Sequence, residues 1–483
     1  MVDLSRLCLD PALSTYIVFD GVDECSEEEE FISDVVKIFG HSHAKVLFFS
    51  RPNVVALMDA LPSLRRLYIG KRTESDIRRY VTTKLELIKQ RRLLPNDADL
   101  PKLVDHLVSG SDGMFLWAKL MVDFLKLPVW QPKKRVKLIL NVTMPERLDD
   151  VYNRIMMHVR RLGSAERKLA EWIIAWLAHA QRELSAAELR ESSRLVYTET
   201  EEEANEEELF EQNVIISCAC LVKKDRTRRP EAFRFVHCSA KEFLLNGGTD
   251  DGTSISLSRA TSHAIIARGS LQYLLTCIPP HPLSGTARKD ITDFALRTKF
   301  PLSNYSALTW IYHLKQSLCC DAMNASQLNK VQRERYHELI STISEFLLAP
   351  GRITAWIEAH HVFSIVIESD SLTRCAHIAH DLLEDLPGLC RPDVSRHLLA
   401  LAEYLQTLSE NWGPQLIRTP SCVWMECAAF DPSQFIKKND MMHVHTLSPV
   451  NRSPNLSTVP LKVTSVTSPD GIDIGVLSVW PSR

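Results

Sequence analysis

The first hundred residues show two alternating patterns of apolar positions. Tyr16 to Phe19 is an uninterrupted run of β-prone apolar residues, which is typical of a strand buried on both faces of a parallel sheet. Further short apolar runs lie at 46–49 and 67–69. Between the first two runs, apolar residues recur at helical spacing, at Ile32, Val35, Val36 and Phe39. Strand, helix and strand in this order predict a parallel sheet with a crossover helix.

Most of the remaining chain has the spacing of amphipathic helices. One helical stretch runs from about 74 to 134, and others cover 259–279, 305–318, 328–359 and 371–411, without a recoverable repeat period. After about residue 414 the sequence is rich in Pro and Ser, and 463–471 is interpreted as a strand and turn or as the start of a repeat domain. The predicted fold class is therefore α/β followed by mostly α.

Two short β-prone segments interrupt the helical pattern near residue 230. Cys220–Lys223 and Phe233–Val236 flank a charged turn and predict a hairpin. Helices followed by such a hairpin suggest a winged-helix domain. Two helices of this region are predicted to begin with capping boxes, formed by Ser185 with Glu188 and by Ser239 with Glu242. The second box places His237 just before a helix N-terminus, where an imidazole can meet an anion.

The composition argues against a nucleic-acid-binding, membrane or secreted protein. A formal net charge of −3 over 483 residues predicts no bulk attraction to nucleic acid or to an anionic membrane. No apolar stretch reaches membrane-spanning length, and the run at Tyr16 is too short for a secretory signal. The 12 cysteines form no Cys-x-x-Cys pair, so reduced thiols are expected. We expect a cytoplasmic protein with protein partners.

Acidic residues follow the first predicted strand directly. Asp20 would emerge at its carboxyl end, and Asp23 and Glu24 come shortly after. Because open α/β sheets bind ligands outside their strand ends, Asp20 is a candidate Mg²⁺ ligand, and Asp23 or Glu24 could orient or deprotonate a water molecule. Arg51, after the second strand, is a candidate sensor of a γ-phosphate. The alternatives are an acidic exit turn without chemistry and a surface arginine.

In order and spacing, these motifs resemble those of fungal NACHT-type signalling NTPases, which are NLR-like members of the STAND class. Asp20–Glu24 resembles their Walker B motif, and Lys45–Pro52 resembles their sensor 1 strand. Three later segments resemble the helical subdomain, the linker after it and the F-x-H-x-S-x-x-E-F element of their winged-helix domain. These segments begin at residues 73, 144 and 235. The joint order is far more specific than any one motif.

The resemblance implies a role for each candidate residue. Asp20 would hold Mg²⁺, Asp23 or Glu24 would act on water, and Arg51 would contact the γ-phosphate of ATP or GTP. His237 would contact the diphosphate of ADP and lock a closed state. In the intact family, exchange of the nucleotide releases the winged-helix domain and permits ring-like oligomerisation.

One essential part of the family pattern is missing from the sequence. A phosphate-binding loop has the form G-x-x-x-x-G-K-[ST], in which successive backbone N–H groups cradle phosphates. No such string occurs, and Gly70-Lys71, the nearest approach, is followed by Arg72 where a hydroxyl is required. We expect a partial P-loop NTPase sheet that lacks its first strand, loop and helix. Such a chain would not bind nucleotide stably or hydrolyse it efficiently.

Five regions are predicted. They are a NACHT core fragment (1–72), a small helical subdomain (73–135), a winged-helix domain (136–250), a helical region (251–413) and a tail (414–483). The predicted function is a nucleotide-dependent oligomerisation switch in innate-immunity or incompatibility-type signalling, with a homo-oligomer formed through the NACHT module. One alternative is a non-catalytic helical scaffold. A weaker one is a nucleic-acid binder that uses the basic hairpin tip Lys223–Arg229, although no basic recognition helix accompanies this tip.

Overall fold

The protein is mostly helical and divides into two compact units, Met1–Thr73 and Glu74–Arg483. The computed structural model describes residues 15–25, 27–39, 44–50, 54–62, 65–67, 70–142, 147–196, 207–245, 258–287, 289–318, 330–363, 369–385, 393–430, 433–437, 462–467 and 474–479. Among these residues no helix is long and apolar enough to cross a membrane.

The first unit contains a two-stranded parallel sheet and two helices. Strand β1 (Tyr16–Asp20) pairs with β2 (Lys45–Phe49), from Tyr16 opposite Lys45 to Asp20 opposite Phe49. Helix α1 (Glu28–Phe39) connects the strands, and α2 (Val55–Ala60) follows them. The predicted order of strand, helix and parallel strand is therefore confirmed. Leu67, in the third predicted strand, is not paired in a sheet, and residues 68 and 69 lie outside the described part.

Among the described residues, one face of this sheet is covered by helices and the other is exposed. Phe19 and Phe48 stack with their ring centroids 5.5 Å apart, in a small core with Ile32 of α1. On the opposite face Tyr16 and Val18 are 69% and 58% exposed. The prediction of a strand buried on both faces is wrong for the described residues, because α1 and α2 pack against the same side and alternate strand residues point away from them.

The second unit begins with a bundle of four helices. They are α3 (Glu74–Gln90), α4 (Leu100–Ser111), α5 (Phe115–Lys126) and α6 (Pro132–Leu140). Ile77, Val81 and Leu85, which have helical spacing in the sequence, are fully buried here. Arg135 is also buried, and its guanidinium donates hydrogen bonds to main-chain carbonyls of the bundle. Hydrophobic spacing therefore identified the buried face of α3.

Four helices and a hairpin follow, together with a further helix after the hairpin. They are α7 (Leu148–Arg160), α8 (Ser164–His179), α9 (Ala186–Ser193), α10 (Glu207–Ser217), β3 (Val222–Asp225), β4 (Ala232–Phe235) and α11 (Cys238–Leu245). Strands β3 and β4 are antiparallel, so the predicted hairpin is confirmed. The capping box of α9 is confirmed too, since Ser185 Oγ accepts from the Glu188 N–H and the Glu188 carboxylate accepts from the Ser185 N–H.

Eight further helices are described after α11. Their bounds are α12 (Arg259–Thr276), α13 (Asp293–Lys299), α14 (Ser303–Leu318), α15 (Lys330–Leu347), α16 (Pro350–Val362), α17 (Ser369–Asp385), α18 (Asp393–Arg418) and α19 (Glu426–Phe430). Trp310, Phe346 and Trp356 meet edge to face at 5.5 to 5.8 Å. Packed structure continues past the predicted boundary at 413, since α18 crosses it and Trp424 is buried.

Near the C-terminus, the structure describes a hairpin within the predicted tail. Strand β5 (Lys462–Thr467) pairs in antiparallel fashion with β6 (Ile474–Val479).

Helices α8 and α12 make a close contact that joins the winged hairpin region to the C-terminal helices. Trp172 and Trp176 of α8 lie against Gly269 of α12. The ring of Trp176 also packs on Tyr305 of α14, with centroids 5.3 Å apart. We call this contact of α8 with α12 and α14 the α8 seam.

Candidate functional site

The carboxyl end of β1 brings two of the predicted acidic residues to one edge of the sheet. Asp20 is the last residue of β1 and is exposed. Gly21 follows in the left-handed region at φ 73°, and its N–H donates to the Phe49 carbonyl at 3.0 Å. A side chain would be strained at this φ, so glycine suits the turn. A short 3₁₀ turn, Val22–Glu24, then places Asp23 half-buried beside the strand end.

The predicted role of this edge is the metal side of a nucleotide site. Carboxylates such as those of Asp20 and Asp23 are ligands that Mg²⁺ prefers, either directly or through its waters. The side chain of Glu24 and all of Arg51 lie outside the described residues. The sequence contains no phosphate-binding loop, so no described residues take the place of its backbone N–H groups. Within the described part, no group of three or more His, Cys, Asp or Glu side chains could hold a metal ion.

His237 occupies the junction between the hairpin and α11. It follows β4 directly, its side chain is exposed, and α11 begins at Cys238. Its Nδ1 accepts the backbone N–H of Ser239 at 3.2 Å and lies 2.9 Å from Ser239 Oγ. The histidine ring therefore caps the helix. The capping box predicted from Ser239 is wrong, because Ser239 is already the second residue of α11.

This cap determines the tautomer of the neutral imidazole. A backbone N–H can only donate, so Nδ1 of His237 must accept, and in the neutral ring the proton is on Nε2. The ring is thus fixed with an N–H donor on its other side, at the start of a helix whose dipole favours anions. This arrangement is suited to donate a hydrogen bond to a phosphate oxygen or a carboxylate.

A buried tyrosine supports this cap, and sequence reasoning did not find it. Tyr152 of α7 is fully buried, and its hydroxyl lies 2.8 Å from Ser239 Oγ. Burial raises the pKa of Tyr152 to about 12, so the hydroxyl keeps its proton. Its ring also packs on Phe243 at 5.3 Å. Tyr152 lies in the segment that begins at residue 144, but the local sequence does not indicate a partner 87 residues away.

The basic tip of the hairpin is largely neutralised by carboxylates. Lys224 is buried between Glu211 and Glu231, at 3.5 and 2.7 Å. Arg226 makes two bonds of 2.9 Å to Glu211, and Arg228 pairs with Glu183. The tip therefore presents much less free positive charge than its sequence indicates, which does not suit binding of phosphate backbones.

The candidate residues thus fall into two groups. Asp20 and Asp23 share the strand edge of the first unit, whereas His237 and its supporting residues belong to the second.

Comparison with known protein families identifies one part of the chain. Residues 157–256 match the family model of the winged helix domain of GPI inositol-deacylase, and this stretch contains α8 to α11, the hairpin and His237. The match covers about a fifth of the chain and concerns the winged helix alone. No curated protein and no solved structure matches the sequence. The chain therefore contains a winged-helix domain similar to that of GPI inositol-deacylase.

Proposed function

We propose that the chain is an NLR-like signal-transduction protein whose NACHT-type module is a nucleotide-dependent oligomerisation switch. The observation that carries the proposal is the placement of His237. Its Nδ1 is bound to the Ser239 N–H, which leaves an Nε2–H donor at the start of α11. A donor held in this way immediately after a wing could sense the terminal phosphate of a bound diphosphate. The acidic end of β1 supports the proposal from the other unit.

In this proposal the candidate residues have distinct roles. Asp20 holds Mg²⁺, Asp23 or Glu24 orients water, Arg51 contacts the γ-phosphate and His237 contacts the β-phosphate. A phosphate-binding loop must come from outside the 483 residues, so the chain alone is a poor ATPase or GTPase. The nucleotide biases two arrangements of the module, and the open arrangement associates with further copies of the protein.

The α8 seam adds a constraint to the switch. Because α8 is packed closely against Gly269 and Tyr305, the winged-helix domain and helices α12 and α14 would move together as one body. Release of His237 from a nucleotide would then displace the C-terminal helices as well.

Nucleotide binding tests the proposal. Fluorescent ADP and ATP with Mg²⁺ should bind weakly to the 483-residue chain at low micromolar concentration. They should bind well to a longer chain that includes a G-x-x-x-x-G-K-[ST] loop upstream. In the longer chain, His237→Ala should weaken ADP binding roughly ten- to hundredfold, since a hydrogen bond to a charged group contributes about 1.5–3 kcal/mol. ATP binding should weaken less.

The matched control is His281→Ala. His281 is also exposed in the second unit, and its Nδ1 contacts only the adjacent Pro282 carbonyl among the bonds described. If His237→Ala and His281→Ala bind ADP equally well, His237 is not a nucleotide sensor. If the longer chain binds neither nucleotide, the switch proposal fails.

The packing of the C-terminal helices favours a second candidate function, a non-catalytic scaffold. Helices α12 to α18 share one core with fully buried Trp310 and Trp356, which suits a rigid platform for protein contacts. A scaffold would bind its partner equally well with ADP, with ATP and without nucleotide. Nucleotide-dependent partner binding would exclude a pure scaffold.

A further inference from the structure

Three histidines meet at the α8 seam. His179 ends α8, His263 lies in α12 and His313 lies in α14. The ring centroids of His179 and His263 are 5.1 Å apart, and those of His263 and His313 are 5.0 Å apart. His263 is 3% exposed and His313 is 0% exposed. The cluster therefore links the winged-helix domain, through its α8, to two helices of the C-terminal region.

A chain of hydrogen bonds runs through the cluster. The Gln181 N–H, just after α8, donates to the Tyr305 hydroxyl oxygen at 3.1 Å. This hydroxyl is 2.8 Å from Nε2 of His313, and Nδ1 of His313 is 2.7 Å from Nδ1 of His263. Between the two Nδ1 atoms only one proton can lie, so one ring must donate and the other must accept. If both rings were protonated, two N–H groups would face each other and the bond would be lost.

The charged groups around the cluster also disfavour protonation. The positive charges of Lys241 in α11 and Arg259 in α12 lower the pKa of His179. Arg259 also lowers the pKa of His263. Arg182, which follows α8, lies over the Tyr305 ring at 5.3 Å. Its guanidinium forms an ion pair with Glu188 of α9. Tyr312 of α14 packs against both His263 and His313. Burial is the main cause that lowers the pKa of His179 to about 4, of His263 to about 3, and of His313 well below its usual range.

We infer that His179, His263 and His313 form an acid-sensitive latch that holds the winged-helix domain against α12 and α14. The closed latch requires neutral rings. When the seam opens, the rings reach water and regain an ordinary pKa near 6.5. The open state therefore binds up to three more protons than the closed one. Mild acid releases the contact, and this release does not depend on any nucleotide.

The direction of the pH effect follows from linkage. Because the pKa of each closed-state ring is depressed, the stabilisation of the closed seam is complete above about pH 6.5. It falls as the pH decreases from 6.5 toward 4. Each histidine changes the closed-to-open ratio by up to about tenfold per pH unit in this range. The Glu171–Arg335 ion pair of α8 and α15, 2.7 Å long, lies next to the seam and weakens once Glu171 is protonated. The variants must therefore separate its effect on the pH dependence from that of the histidines.

Hydrogen exchange of the full chain at pH 7.5 and pH 5.5 tests the latch. After correction for intrinsic exchange rates, the opening equilibrium constant of amides in peptides from α8, α12 and α14 should be at least tenfold larger at pH 5.5 than at pH 7.5. Peptides from α3 and α4 should not change. An equal increase in all helices, or none at the seam, would overturn the inference.

Two histidine variants supply the decisive comparison. His179→Gln, at the half-buried edge of the cluster, should reduce the pH dependence of seam opening by about one proton. His313→Gln should also reduce it by about one proton, and if this variant does not fold, His179→Gln alone decides. His281→Gln is the control, because this exposed histidine lies outside the seam. If the pH dependence is the same in His179→Gln and in His281→Gln, the histidines are not the latch.

Discussion

Gly269 of α12 lies directly against the indole of Trp172 in α8. A β-carbon at Gly269 would come within 2.6 Å of two ring carbons of Trp172 and 3.2 Å from Trp176. Real side chains do not approach so closely, so the helices can pack at this distance only because residue 269 is glycine. The α8 seam therefore depends on the absence of a side chain as much as on its histidines.

We expect Gly269→Ala to destabilise the protein. Helix propensity alone would favour alanine by about 1 kcal/mol, but the overlap with two tryptophans should cost roughly 1–3 kcal/mol. The net loss of stability is then up to about 2 kcal/mol. Urea-induced unfolding followed by tryptophan fluorescence measures the change. The control is Gly413→Ala in α18, where the new β-carbon would meet Ser409 Oγ at 3.7 Å. Because Pro414 follows inside the helix and disfavours a helical alanine before it, this change should cost some stability, but less than Gly269→Ala. Equal effects of the two substitutions would contradict the close contact.

Glu358 should make stability fall as the pH rises. It is fully buried, and its Oε2 accepts from Trp424 Nε1 at 2.6 Å and from the Leu283 N–H at 3.0 Å. Burial raises the pKa of Glu358 to about 7. The folded protein thus favours the protonated form, and this stabilisation is complete below the ordinary pKa near 4.5. It is lost as the pH rises through 7, by roughly 3 kcal/mol in total at about 1.4 kcal/mol per pKa unit.

Glu358→Gln tests this dependence because glutamine keeps an acceptor and stays neutral. Unfolding free energies of both proteins should be compared from pH 5.5 to 8.5, which cancels the opposite contribution of the histidines. The free energy of unfolding of the variant should increase relative to that of the natural protein as the pH rises. Glu345→Gln, at an exposed position of α15, should leave the pH profile unchanged. A constant difference between Glu358→Gln and the natural protein would show that Glu358 is ionised throughout.

Arg135 should be essential for the first helical bundle. Its guanidinium is 1% exposed and donates to the carbonyls of Leu125, Leu127 and Leu93 at 2.7, 2.9 and 3.2 Å, and also to that of Trp130. Arg135→Ala removes all four of these hydrogen bonds and should cost about 3–5 kcal/mol. The Leu127 carbonyl keeps a donor, the Trp130 N–H at 3.4 Å. Lys134→Ala, at the exposed neighbouring position, should change stability by less than about 0.5 kcal/mol. Thermal unfolding monitored by circular dichroism distinguishes the two.

The wing should not bind duplex DNA. Glu211, Glu231 and Glu183 neutralise most of its positive charge, so few counterions would be released on binding. Fluorescence anisotropy with a labelled duplex should show weak binding at 50 mM salt that glutamine at Arg226, Arg228 and Arg229 does not change. Strong binding that falls steeply by 200 mM salt, and that is lost in this triple variant, would favour a nucleic-acid binder instead.

Local sequence patterns predicted most of the helices. A buried helical face needs apolar residues three and four positions apart, and this spacing is visible without any tertiary information. Ile77, Val81 and Leu85 illustrate this, since all three are fully buried on α3. The Ser185–Glu188 capping box is equally local, because both bonds join residues only three positions apart.

Two predictions failed where a distant or neighbouring element decided the outcome. The apolar run at Tyr16 indicated burial on both faces, but whether a second face is covered depends on which side the helices pack. Ser239 had the spacing of an N-cap, yet the His237 ring took that role. In the helix, Ser239 Oγ instead contacts Tyr152 and His237.

For the candidate site, the sequence by itself determined the residue types: carboxylates after an apolar strand, a histidine between a wing and a helix, and a basic hairpin tip. Only the tertiary structure decided how each is used. It turned Nδ1 of His237 toward the Ser239 N–H, placed carboxylates beside Lys224 and Arg226, and joined His179, His263 and His313. The physical reason is that spacing along the chain determines helices and turns, whereas protonation and charge pairing depend on burial and on partners that lie far apart in sequence.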